Sequence, residues 1–416
     1  MNASAKPPAP AGSLLYRIQL GLFLLVLVTG SFSVAVSQIT LGLTLLAGLA
    51  RWAVSRHRPP RTGLELVTLL LFGWAVLMIP LSADPGQSLV FTRRFFLYGA
   101  IWLGADLVRD EARRRLALGA LLTGAAGISL VSGVQIWRQT GSLFALRLDQ
   151  VSNAMTSGAL LMLVALLAVG VVLNRSTGRR ARWVVTAALL PILLALLMTM
   201  TRSAVLGLGA GVAAMLLAGR PRWFLVFAGL AAALVAGVLL FGEQVLSPRL
   251  WSRLDPDFVV SGVNTTGRLQ MWQVGWRMIQ ANPWFGVGDC DLQAVAPAYY
   301  GTISPPVFGH MHSNLVHLAV IWGVPGFLLA MAFLGTQLRL LLGLWRGRAR
   351  TASAVPWQDA WILGAVGLWV GFFVAGFTEW YFGDAEPMLI FLAVMGVALG
   401  GQAADTAVVQ SGADLG

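Results

Sequence analysis

Residues 156–219 read TSGALLMLVALLAVGVVLNRSTGRRARWVVTAALLPILLALLMTMTRSAVLGLGAGVAAMLLAG. Three apolar runs, 156–174, 182–200 and 203–219, are each long enough as helix to cross a hydrocarbon core, which takes roughly 17 to 25 residues. The first two are separated by a turn bearing Arg175, Arg179, Arg180 and Arg182, the last two by Thr201 and Arg202 alone. A chain built this way crosses a membrane, turns at once and crosses again. The same reading extends outward to 14–34, 36–54, 62–80, 93–109 and 113–136 before this stretch, and to 222–242, 313–343, 357–377 and 385–404 after it. The fold expected is an all-α polytopic membrane protein of about 12 transmembrane helices.

Composition agrees. Hydrophobic residues make up 57% of the 416 residues and charged residues 11%, against roughly 25% charged in a soluble domain. The first run lacks a small-residue cleavage site and is followed at once by another span, so it reads as an anchor; residues before Ala11 read as a disordered tail. The single cysteine, Cys290, excludes an intrachain disulfide and a thiolate metal cluster. A net charge of +12 would suggest nucleic acid in a soluble protein. Here the charges follow membrane topology instead: with the N-terminus inside, about 20 of the 29 Lys and Arg fall in cytoplasmic stretches. Both termini are then cytoplasmic, and residues 243–311 form an outer loop of roughly 70 residues that needs structure and function of its own. The division expected is a membrane domain over 1–242, the loop over 243–311, a second membrane part over 312–404 and a cytoplasmic tail over 405–416. Within the loop, Leu269, Trp272, Trp276 and Ile279 share one helical face before Pro283, as in an amphipathic helix on the membrane surface.

The arginines left on the outer side require another explanation. For Arg93, Arg94, Arg138, Arg249, Arg253 and Arg277 the ordinary reading is snorkelling to lipid phosphates. Arg147, Arg202 and Arg268 lie in polar, turn-like contexts beside a span or the loop helix. A guanidinium fork there matches phosphate oxygens, and several together would hold a diphosphate. Arg147 also has Asp149 beside it as a simple ion-pair partner. Three of the four histidines, His310, His312 and His317, cluster where the loop enters the tenth span. His312 stands near a helix N-terminus, where the dipole favours a neutral, proton-accepting ring; the bland alternative is a capping or packing histidine. His310 is a weaker candidate for support, as is Asn314.

These residues form a pattern. His312-Ser313, the nine residues Asn314–Trp322, and then Gly323-Val324-Pro325-Gly326 follow an outer loop that also contains Gly267-Arg268-Leu269, Trp272 and Asn282-Pro283-Trp284-Phe285-Gly286-Val287-Gly288. In this the chain resembles the O-antigen ligases, within a group that includes O-antigen polymerases, and the resemblance runs through nearly the whole chain. It implies a GT-C-like membrane glycosyltransferase of the bacterial inner membrane. Such an enzyme moves a completed glycan from undecaprenyl diphosphate to the lipid A core oligosaccharide at the periplasmic face, with no nucleotide sugar, metal or other cofactor. The family's essential histidine corresponds to His312 and its diphosphate-contacting arginines to Arg202 and Arg268; Arg147 is added on its local context.

The chemistry is consistent with that assignment, because an already activated donor needs a base for the acceptor hydroxyl and positive charge for the leaving diphosphate. Displacement in one step inverts the anomeric centre. Glu379, among the aromatics of the last outer loop, is a candidate to orient His312 or an arginine. Gly323 and Gly326 read as relief of packing or a kink with Pro325. Three alternatives stand beside this reading: a polymerase or protein-directed ligase with the same leaving-group chemistry, a metal held by Asp255 and Asp257 or by Asp289 and Asp291, and a transporter of a lipid-linked or anionic solute.

Overall fold

In lipid each backbone N–H and C=O needs a partner within its own segment, so apolar runs with no polar face fold as helices. The computed structural model describes residues 14–55, 59–149, 153–245, 251, 263–303, 305–306, 308–350 and 355–400. Among these residues there are helices and turns and no strand. The N-terminal tail, Arg249, Arg253, Asp255, Asp257 and residues 405–416 lie outside them.

Five helices lead in: α1 (Leu14–Thr29), α2 (Val34–Ser55), α3 (Glu65–Met78), α4 (Pro85–Thr92) and α5 (Gly99–Leu107). There follow α6 (Glu111–Thr140), α7 (Ala154–Leu173), α8 (Arg179–Met198), α9 (Arg202–Gly219) and α10 (Pro221–Val245). The intervening segment contributes α11 (Val263–Ala281) and the short α12 (Leu292–Val295), and the chain closes with α13 (Asn314–Arg350), α14 (Pro356–Ala375) and α15 (Ala385–Leu399). Of the described helices, eight are long and apolar enough to cross a membrane: α2, α6, α7, α8, α9, α10, α13 and α14. The segments Leu14–Thr29, Glu65–Leu81 and Ala385–Leu399 are apolar but shorter. The expected span 93–109 is a tight 3-10 turn, Arg93–Tyr98, running into α5. Eleven of the twelve expected spans thus fall on apolar helices, and the twelfth, 93–109, is this turn with the nine-residue α5.

The centre of the molecule is α7, α14 and α15, buried along nearly their whole lengths. Lipid gives helices no hydrophobic reason to associate, so close backbone approach through small residues does that work. A Cβ on Gly170 would lie 2.5 Å from Gly364 Cα, one on Gly207 2.6 Å from the Gly371 carbonyl, and one on Gly211 2.5 Å from the Gly367 carbonyl. These pairs press α14 between α7 and α9. At the periphery α10 exposes Leu225, Leu230, Leu234 and Leu240, the composition of a lipid-facing surface.

One long helix is interrupted for a reason. Within α13, Gly323 takes φ 66° and ψ −175° ahead of Pro325, and the carbonyls freed there are occupied by the turn that follows α11. Val287 N–H donates to Val320 O at 2.9 Å and Gly288 N–H to Ile321 O at 2.9 Å, while Val324 N–H donates back to Pro283 O at 2.8 Å. The two glycine-bearing motifs of the sequence are therefore one joint. It docks α11 against the first turns of α13.

The helix α11 has a buried stripe beside the apolar face read from the sequence. Met271, Val274 and Met278 are buried, whereas Leu269 and Trp276 are exposed and Trp272 and Ile279 are only partly covered. The buried stripe arises because α11 packs against α13, and periodicity alone does not distinguish a protein-facing stripe from a lipid-facing one.

Candidate active site

The site begins at the cap of α13. Ser313 accepts from Val316 N–H at 3.4 Å as the N-cap residue, which puts His312 immediately before the cap. His312 has φ 44°, a left-handed conformation uncommon for a residue with a Cβ. Such geometry persists only where neighbours impose it. Here they do: His312 N–H donates to His310 Nδ1 at 3.3 Å, and Met311 N–H donates to His317 Nδ1 at 3.3 Å. His317 is buried against Trp380, with ring centroids 4.0 Å apart.

Opposite His312 lies the loop between α14 and α15, and Glu379 on it joins two candidates from different parts of the chain. Its Oε2 is 3.2 Å from His312 Nδ1 and its Oε1 accepts from Arg268 in the second turn of α11. Glu379 is 5% exposed, while His312 and Arg268 remain 24% and 22% exposed; the acid is buried beneath two groups that face outward. A carboxylate only accepts, so in the neutral tautomer that fits this contact Nδ1 of His312 donates and Nε2 carries the lone pair.

The loop is fixed by Asn314. Its Oδ1 accepts from Tyr381 N–H at 2.8 Å and Phe382 N–H at 3.3 Å, and its own N–H donates to Gly376 O at 2.7 Å. A Cβ on Gly376 would lie 2.2 Å from the Asn314 amide, so only glycine allows this approach.

Arg202 is the first residue of α9, after a turn in which Met200 also has positive φ, 50°. The next residue, Ser203, lies 3.3 Å hydroxyl to hydroxyl from Tyr381, which ties the start of α9 to the loop that carries Glu379. Arg147 braces the same turn, donating from Nε to Thr199 O at 2.7 Å and from a terminal nitrogen to Thr201 Oγ1 at 3.2 Å. It supports the peptide that presents Arg202. Thr156, at the start of α7, donates to Asp384 at 2.9 Å and closes the ring of contacts. Burial, partly offset by that bond, raises the Asp384 carboxyl to about 6. Burial chiefly, and the proximity of His312, lowers His310 to about 4, so it is neutral near pH 7.

Sequence reading assigned Arg94 and Arg277 to lipid, and both are engaged by protein. Arg94 lies 3.5 Å from Asp289 and over the Phe91 ring, beside Trp380 and Phe382, and Arg277 donates to the Tyr299 and Tyr300 carbonyls. The acid pair is likewise occupied: Asp289 with Arg94, Asp291 as the cap of α12, accepting from Gln293 N–H at 3.0 Å. Burial raises Asp289. Among the described residues, no three His, Cys, Asp or Glu side chains converge as a metal would require.

The loop acids, the Asn314 clamp and the Ser203–Tyr381 contact link segments far apart in sequence. No local spacing signals them; the signal available was the acid among aromatics at 379–384.

Comparison with curated proteins finds no match. A family model does match: the O-antigen ligase model Wzy_C aligns with residues 187–331, about a third of the chain. The aligned stretch takes in Arg202, Arg268, His310, His312, Asn314 and both halves of the glycine joint, and leaves out Arg147 and Glu379. Over residues 187–331, this polytopic membrane protein is similar to the O-antigen ligase family.

Proposed function

We propose that the protein is an O-antigen ligase that transfers a glycan from undecaprenyl diphosphate to a hydroxyl of the lipid A core oligosaccharide, with the site on the periplasmic face of a bacterial inner membrane. The observation that supports this most is Glu379 holding His312 and Arg268 side by side. Those two groups are what the reaction needs. His312 Nε2 takes the proton of the acceptor hydroxyl as its oxygen bonds to the anomeric carbon, and the bond from that carbon to the diphosphate breaks. Arg268 and Arg202 stabilise the charge that collects on the departing diphosphate. Single displacement inverts the anomeric configuration, and the proton is released from His312 afterwards. Glu379 acts as a positioning residue by fixing the imidazole tautomer, and Asn314 by fixing the loop.

The membrane arrangement that accompanies this reading has twelve spans, cytoplasmic termini and the segment 243–311 outside, in a GT-C-like architecture. Product analysis distinguishes it from its relatives. Purified protein reconstituted with undecaprenyl-diphosphate glycan and lipid A core is expected to yield substituted core. Lengthened lipid-linked glycan in place of that product would identify a polymerase. Flux of intact donor with no new glycosidic bond would identify a transporter.

A further inference from the structure

The face opposite the active site carries a second group of arginines with a different environment. α7 leaves the active-site face at Asn153 and ends 20 residues later at Leu173, about 30 Å away at 1.5 Å per residue. On that side, five arginines have acids. Asp106 pairs with Arg51 and Arg109, Asp110 with Arg113 at 3.2 Å, Glu111 with Arg115 at 3.6 Å and Asp359 with Arg348 at 3.1 Å. Arg175, Arg182, Arg220 and Arg222 differ, for none has a carboxylate partner among the described residues.

These four are close together. Arg175, Arg220 and Arg222 line a pocket of about 340 Å³ with Trp223 at its edge. Arg175 and Arg220 also line an adjoining pocket of about 270 Å³ whose floor is apolar, made by Leu173, Met215, Leu216 and Leu363. Arg182 is near enough to Arg220 to act on it electrostatically; its Nε is shut off from solvent and has no hydrogen-bond partner. Burial first, and the charges of Arg175 and Arg182 next, lower the Arg220 pKa. Clustering cations without a counter-charge is unfavourable, and a topological preference for positive residues does not require that they converge. A cationic mouth above an apolar floor complements one kind of ligand.

We propose that this pocket binds an anionic phospholipid of the leaflet opposite the active site by its phosphate, held among Arg175, Arg220 and Arg222, while the acyl chains stay in the bilayer. Basic pockets between membrane helices recognise phosphate headgroups in this way.

The test uses full-length protein purified in detergent, exposed to phosphatidylglycerol or phosphatidylcholine, with retained lipid counted by native mass spectrometry. The wild type is expected to retain phosphatidylglycerol selectively. Arg175→Gln with Arg222→Gln, whose side chains make no hydrogen bond among the described residues, is expected to reduce that retention on the order of tenfold. Arg179→Gln with Arg180→Gln, exposed in the first turn of α8 and outside the pocket, is expected to leave it unchanged. Equal loss in both pairs, or equal retention of the two lipids by the wild type, would overturn the proposal in favour of diffuse surface charge. Complete displacement of bound lipid by millimolar glycerol phosphate would overturn it in favour of a free phosphate ester.

Discussion

At the scale of the residue, the site depends on which groups are charged and which are aimed. His312 and Arg268 are held by one buried acid, and Arg202 is presented by a turn that Arg147 braces. A guanidinium offers two parallel donors to a phosphate where an ammonium offers a point charge. Arg202→Lys is therefore expected to raise the donor KM about tenfold or more while leaving the thermal midpoint nearly unchanged, measured in reconstituted transfer assays; unaltered kinetics would remove Arg202 from the diphosphate site. Two other groups contribute to the pH dependence of stability. His310 is lowered in the folded protein to about 4, so the unfolded chain binds more protons between that value and the ordinary 6.5, and stability rises with pH across that window. Asp384 is raised to about 6, so the folded chain binds more protons between the ordinary 3.8 and 6, and its contribution falls as pH rises. Thermal midpoints measured from pH 4 to 6.5 should gain less with pH in His310→Gln than in the wild type, and more in Asp384→Asn.

At the scale of the element, much was legible because lipid leaves few options. Eleven of the twelve expected spans fall on apolar helices, since an apolar run of that length has no other way to satisfy its backbone. The histidine at the entry to α13 and the arginine at the head of α11 were equally visible, because capping and turn chemistry are local. What was not legible depends on contacts between elements. Glu379 was readable as a partner for His312 or an arginine, but at 67 residues from His312 its hold on both at once follows from how α14 turns into α15 against Asn314. The glycines at 286–288 and 323–326 were readable as turn and kink, but not as halves of one joint. Gly323 has φ 66°, and a Cβ there would lie 2.5 Å from the Trp284 carbonyl. Gly323→Ala is expected to cost about 1–3 kcal/mol and to lower transfer with it, since the joint positions α13 beneath His312. Gly335→Ala, in the same helix with open space around it, is the matched control for melting and activity.

At the scale of the whole molecule, a rigid centre carries a site assembled at one face. Close approach of α7, α9 and α14 through glycine makes that centre. Gly211→Ala is expected to destabilise by about 1–3 kcal/mol, while Gly209→Ala, with nothing near its added methyl, should leave the unfolding midpoint in detergent unaltered. The site itself is a seam: the start of α11, the cap of α13, the start of α9 and the final loop each supply one part, and none is a site alone. Transfer from undecaprenyl-diphosphate glycan to lipid A core by purified, reconstituted His312→Ala protein tests this most directly. Removal of a general base is expected to slow transfer roughly 10²- to 10⁴-fold with donor binding retained, and transfer at the wild-type rate would contradict the account.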